Sequence, residues 1–195
     1  MKQAKFFWLS GLAVMAGVLA AAIVAPSLYV ERSDPGAMHA SWADHYSSLG
    51  QMVNDVDAVV LATVIGTQPG REVLTASQQP LPFTLVSLKA DKIIRGNEFI
   101  AEGQTITLEQ TGGEINGQAL YFNHDGGFYT PGSKELLFLK RQEDTGYYYL
   151  VNPQGRFKVK DNQLLAVAPD DHTAQQLDFR SVDHGLRIIL DEIRP

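Results

Sequence analysis

The sequence predicts a mainly β fold: a small antiparallel barrel with a C-terminal helix, preceded by an N-terminal transmembrane helix. Three observations predict it. An uncharged apolar run stands near the start, short strand patterns separated by turn signals fill the middle, and one amphipathic repeat closes the chain.

The apolar run spans Phe6 to Val30, with Lys2 and Lys5 before it and Glu31, Arg32 and Asp34 after it. At ~1.5 Å per residue it reaches about 37 Å, more than a ~30 Å hydrocarbon core. A cleaved signal has a shorter apolar stretch of about 7–15 residues before a small-residue site. Ala20-Ala21-Ala22 is such a site, but apolar residues continue past it, and the later Ala25 is followed by Pro26. An uncleaved signal anchor is therefore favoured over secretion after cleavage. Positive charge on the N-terminal side places that end in the cytoplasm and the remainder outside. The run is apolar on all faces, unlike the amphipathic helix of a soluble core. Trp8 and Tyr29 stand near its two ends, where aromatic rings prefer the interface. The expected organisation is an anchor over 1–32, a linker and short helix over 33–56, and the β domain with its helix over 57–195.

Tyr46, Leu49, Met52 and Val53 share one helical face. Asp57 to Ile65 is a β-branched run ended by Gly66, and Thr67 to Pro82 reads as a long loop rich in Gly, Pro, Ser and Gln. Phe83 to Ile94 reads as one strand with a bulge in the charged stretch Lys89 to Lys92, stopping at Arg95-Gly96. Thr105 to Glu109 alternates as a half-buried strand should, and Gly112-Gly113 ends it. Asn116-Gly117 predicts a type I′ hairpin. Leu136 to Leu139 is wholly apolar and reads as a central strand, followed across Asp144-Thr145-Gly146 by Tyr147 to Val151. Phe157 to Val159 turns at Asp161-Asn162 and pairs with Leu164 to Val167. Leu186, Ile189, Leu190 and Ile193 then mark the amphipathic C-terminal helix. About seven strands are expected.

The formal net charge is −6, from 16 basic and 22 acidic side chains. Lys2 and Lys5 are the charges of the first 30 residues, so the exported part carries 14 (16 − 2) against 22, a balance of −8. An acidic domain is repelled by phosphate backbones and anionic lipid headgroups, which argues against nucleic acid as a partner. The chain has no cysteine. That removes disulfides, thiolate nucleophiles and Cys-ligated metals.

No catalytic, cofactor-binding or metal-binding set is assigned. The histidines His39, His45, His124, His172 and His184 show no helical metal-ligand spacing beside an acid. His124-Asp125, in a Gly-rich stretch, reads as a metal contributor or as a polar loop tip, and Asp170-Asp171-His172 is similar. There is no Gly-x-Ser-x-Gly elbow, and Gly112-Gly113 is not followed by Gly-Lys-Ser/Thr, so neither a serine-nucleophile turn nor a phosphate loop is present. The aromatic set Phe122, Phe128, Tyr129, Tyr147, Tyr148 and Tyr149 has two readings. It is a partner platform, or it divides between core and ordinary strand surface.

Four segments together resemble a known group. They are Asp57-Ala-Val-Val-Leu-Ala-Thr-Val64, the strand closing on Ile93-Ile94-Arg95-Gly96, Gly103 to Leu108, and Pro131 to Leu139. The pattern, over about Asp57 to Val167, is similar to the netrin-module and metalloproteinase-inhibitor-like OB-fold group. It is most similar to cysteine-free, poorly characterised bacterial surface proteins of that type. The resemblance implies a five-stranded Greek-key barrel with elaborations and a binding role rather than catalysis. That group's inhibitors chelate a protease's zinc through an N-terminal cysteine, which this chain lacks, so no functional residue carries over.

The expectation is a membrane-anchored, extracytoplasmic binding module with no cofactor. Its partners would be the membrane, through the N-terminal helix, and another protein. Contacts are expected in the loops Thr67–Pro82 and Gly112–Thr130, at Phe122, His124, Phe128 and Tyr129, because loops carry function disproportionately. The rival expectations are an extracytoplasmic hydrolase using His124 or His172 with nearby acids, and a structural subunit of an envelope complex.

Overall fold

The computed structural model describes residues 37–38, 45–122 and 126–193. The expected anchor lies outside the described residues. Among those described, no helix is long and apolar enough to cross a membrane. The chain runs β1 (Ala37–Met38), α1 (Leu49–Asp55), β2 (Ala58–Leu74), β3 (Pro80–Arg95), β4 (Thr105–Thr111), β5 (Gly113–Ile115) and β6 (Gln118–Phe122). It continues through β7 (Lys134–Arg141), β8 (Tyr148–Leu150), β9 (Arg156–Lys160), β10 (Gln163–Ala166), α2 (His172–Gln175) and α3 (Val182–Ile193). The fold is mainly β, as expected. Beyond the expected elements stands the two-residue β1, and β5 and β6 are the two arms of the hairpin expected at Asn116-Gly117.

Seven strands form one sheet in the order β10-β9-β7-β2-β3-β4-β8, and β7 also pairs with β8. Strands β2, β3, β4, β8 and β7 therefore close a ring. Neighbours in a ring of five cannot all run in opposite directions, so one contact must be parallel. That contact is β4–β8, at Leu108 opposite Tyr148. The expected antiparallel pairing holds around the rest of the ring. A second sheet, β1-β6-β5, has β1 parallel to β6.

The apolar runs in β2 and β7 follow from burial on both faces. One face places Ala58, Val60, Leu137 and Leu139 in a cluster with Val86, Leu88, Ile106 and Leu108 of the ring. The other places Val59, Leu61, Leu136 and Phe138 against Leu49 and Met52 of α1 and Leu186 and Ile189 of α3. α1 starts where Ser48 accepts a hydrogen bond from the Gln51 amide at 3.2 Å. Tyr46, Leu49, Met52 and Val53 are buried, as their spacing predicts.

The predicted loop Thr67–Pro82 is not a loop. β2 continues through Gly66 to Leu74, turns over 75–79, and returns as β3 from Pro80. The ladder remains paired to Leu74 opposite Pro80, with irregularities between Val64 and Gly66 and between Pro69 and Glu72 that accommodate the glycine and proline. Alternation gives no signal here because much of this arm is exposed on both faces, and backbone pairing rather than side-chain burial holds it. The bulge expected in the charged stretch is present. The register on β3 skips Asp91, whose carboxylate accepts from Thr63 Oγ1 at 2.7 Å and pairs with Lys134 Nζ at 3.2 Å.

Candidate functional site

Side-chain alternation along β7 puts Glu135 on the ring-interior face of Leu137 and Leu139. On β9, Arg156 lies opposite Leu137 and so shares that face. Both side chains are 1% exposed, and Arg156 forks onto Glu135 at 2.7 and 3.0 Å. Arg156 Nη1 also donates to the carbonyl oxygen of Gly127 at 2.7 Å, and its guanidinium lies 3.7 Å from the ring centroid of Tyr129. On β4, Gln110 continues the inward face of Ile106 and Leu108, and its Nε2 donates to the same Gly127 carbonyl at 3.1 Å. Gln110 is 6% exposed, and its Oε1 has no partner among the described residues.

These groups strap the segment Gly126–Thr130 across one end of the ring. Two consecutive glycines make this possible. Gly126 and Gly127 have φ of 70° and 75°, and a Cβ on Gly126 would sit 2.7 Å from Val167 Cγ1. Lys158 Nζ holds the Gly126 carbonyl at 2.9 Å.

Two cavities adjoin this strap. The larger, about 390 Å³, lies between the β2–β3 arm and the β5–β6 hairpin, with Pro69, Pro82, Phe83 and Phe128 in its walls and Glu72 and Glu114 exposed on its lining. The smaller, about 80 Å³, is lined by Glu109, Gln110, Tyr149 and Arg156 among others. Tyr129 lines both. Phe128 is set edge-on to Tyr121 of β6, with centroids 5.8 Å apart. Beside them, Arg71 forks onto Glu109 at 2.9 and 2.8 Å and stacks 5.0 Å from the centroid of Phe83. Hydrogen bonding to Glu109 raises the Arg71 pKa, and Gln142 donates to the same carboxylate at 3.1 Å. A separate groove of about 280 Å³ follows the β4–β8 seam past Phe99, Thr107, Arg141 and Tyr147.

The candidate contacts of the sequence fall as follows. Phe128 is partly buried and lines the larger cavity, whereas Tyr129 is buried beneath Arg156. Phe122 ends β6, but its side chain lies outside the described residues, as does His124. Tyr148 is buried, which raises its phenol pKa, while Tyr149 is 37% exposed. The described aromatics thus divide between core and cavity wall.

His172 begins α2, and Asp171 caps that turn by accepting from the amides of Thr173 and Ala174 at 2.8 and 3.1 Å. Burial pushes the Asp171 carboxyl up, but hydrogen bonds from Gln154 and those two amides outweigh it and hold its pKa below the usual value. His45, mostly exposed, stands 3.8 Å from it. Among the described residues, no group of three or more His, Cys, Asp or Glu side chains is placed to hold a metal ion.

The sequence reading did not single out Phe83, Gln110, Glu135 or Arg156, and it covered Glu72 and Glu114 only as members of the expected contact stretches Thr67–Pro82 and Gly112–Thr130. Two carried a signal. Glu135 directly precedes the apolar run Leu136–Leu139 and Arg156 precedes Phe157, so each is a charge at a position that alternation sends inward. No protein-family model matches this chain, and no curated protein is significantly similar to it.

Proposed function

We propose that this protein is a membrane-tethered, extracytoplasmic binding module built on an OB-like barrel, and that the cavity between the β2–β3 arm and the β5–β6 hairpin receives a segment of a partner protein. The carrying observation is that cavity: about 390 Å³, open, walled by aromatic and proline side chains, and floored by a strapped loop. Its size falls in the range of ligand pockets, roughly 300–1,000 Å³. Support for the OB-like reading is the ring order β2-β3-β4-β8-β7 with its single parallel contact between the third and fifth strands met along the chain. Support for the tether and its orientation is Lys2 and Lys5 ahead of the uncharged run Phe6–Val30. A tether favours binding to membrane partners by raising effective concentration.

The test is in-cell photo-crosslinking of the full-length chain, with a benzophenone amino acid at Ala119 in the cavity wall. The same probe at Leu190, an exposed residue of α3, is the control. A dominant protein adduct from Ala119, absent from Leu190, is expected. Equal or no adducts at the two positions would remove the cavity from consideration as the binding site.

A further inference from the structure

The larger cavity has a one-sided chemistry. Glu72 and Glu114 line it, and no Lys, Arg or His stands among its described lining residues. Neither carboxylate has a hydrogen bond or ion pair among the described residues. The nearby cation Arg71 is committed to Glu109. Arg71 also stacks on Phe83, a ring that lines the cavity, and aromatic rings attract cations of this kind. The adjoining smaller cavity is lined by Gln110 and by the shared Tyr129, and Gln110 Oε1 is buried without a hydrogen bond among the described residues. Ammonium and guanidinium groups are donors only, and long basic side chains pair an apolar stem with a charged tip. Aromatic and proline walls suit the stem, and the rim carboxylates suit the tip.

Resting on the binding-module reading above, we infer that the occupant of this cavity is a lysine or arginine side chain carried by an extended segment of the partner protein. The net charge of the exported part, −8 by the count given above, adds long-range attraction for such a segment. Acidic segments are excluded by repulsion, and uncharged apolar segments are disfavoured because they gain nothing from the carboxylates.

The experiment uses full-length, isotope-labelled protein in detergent micelles, followed by amide NMR. It is titrated with the N-acetyl methylamides of lysine, arginine and norleucine. Saturable shifts at Gly113 and Ala119 are expected with the two basic compounds, with norleucine weaker by about tenfold. In the double variant Glu72→Gln, Glu114→Gln, the preference for lysine over norleucine falls about three- to tenfold. Both replaced side chains are exposed, so the fold is retained, and an unchanged spectrum elsewhere checks this. Equal shifts with all three compounds, or none with any, would overturn the inference. Crosslinking at Ala119 separates the two failures. A partner segment captured there without Lys or Arg refutes the basic occupant and leaves the binding site intact, whereas no captured partner refutes the site itself.

Discussion

The two faces of the β2–β7 pair are built differently. On the outer face Val59, Leu61, Leu136 and Phe138 meet α1 and α3 in an apolar cluster, and buried Gln154 and Thr173 hydrogen-bond to Tyr46 at its margin. The inner face starts in the same way, with Ala58, Val60, Leu137 and Leu139, but ends in the buried pair Glu135–Arg156. The outer face is closed by helices, and shape and burial hold most of it. At its polar end, the inner face must hold a loop, and the buried charge supplies directional hydrogen bonds that an apolar side chain lacks. Desolvating an ion pair costs about as much as the pairing returns, so Glu135–Arg156 is better explained by positioning Gly127 and Tyr129 than by stability.

The largest effects test that difference directly. Glu135→Ala leaves Arg156 buried without its carboxylate and should lose about 3–5 kcal/mol in urea unfolding. The double replacement Glu135→Leu, Arg156→Met should recover most of that loss. It should nevertheless accelerate amide exchange at Tyr129 and Thr130, because the Gly127 carbonyl loses a donor held at 2.7 Å. A double variant as unstable as the single one would make the pair a stability element and erase the contrast. On the outer face, Phe138→Ala should also cost about 3–5 kcal/mol, through lost burial and a residual cavity. It should leave the exchange of Tyr129 and Thr130, relative to the rest of the chain, unchanged.

A smaller effect tests how tightly the outer layer is packed. Gly155 has ordinary backbone angles, but an added Cβ would lie 2.8 Å from both Phe138 Cβ and Val151 Cγ1. Gly155→Ala should therefore cost about 1–3 kcal/mol by overpacking, measured by thermal and urea unfolding. A neutral result would mean that the turn at Pro153–Gly155 yields more readily than the strands beside it.

The same contrast explains what the sequence disclosed. The outer layer was legible because helical spacing at Leu49, Met52 and Val53 and at Leu186 and Ile189 reports one buried face directly. The two-sided burial of Leu136–Leu139 likewise reads as a continuous apolar run. Asn116-Gly117 and Asp161-Asn162 named their turns through residues that accept positive φ, and all four adopt it. The arm was not legible, since a ribbon exposed on both faces has no apolar period and Pro69, Gly70 and Pro82 imitate a loop. The cavity was legible only in part. Most of its lining lies in the stretches Thr67–Pro82 and Gly112–Thr130, where contacts were expected, but the β2–β3 and β5–β6 hairpins each pair within themselves, and no local pattern encodes that they face each other.

The smallest effect concerns the rim of the outer face, where α1 is tied to β7 by charge instead of packing. Asp55 pairs with Lys140 Nζ at 2.7 Å and accepts from the Tyr46 hydroxyl. The lysine first, and the tyrosine second, hold its carboxyl below the ordinary value of 3.8. A carboxylate depressed on folding contributes stability that is fully present above its unfolded pKa and disappears as pH falls through the folded one. The urea midpoint of wild type should therefore exceed that of Asp55→Asn by a constant margin near neutral pH. The margin should close as pH drops below 3.8. Because Asp55 is largely solvent-facing, the margin should be small and should shrink in high salt. If Asp55→Asn tracks wild type at every pH, the charge at this rim adds nothing, and α1 is held by the packing of Leu49, Met52 and Val53 together with the hydrogen bonds that join Gln154 and Thr173 to Tyr46.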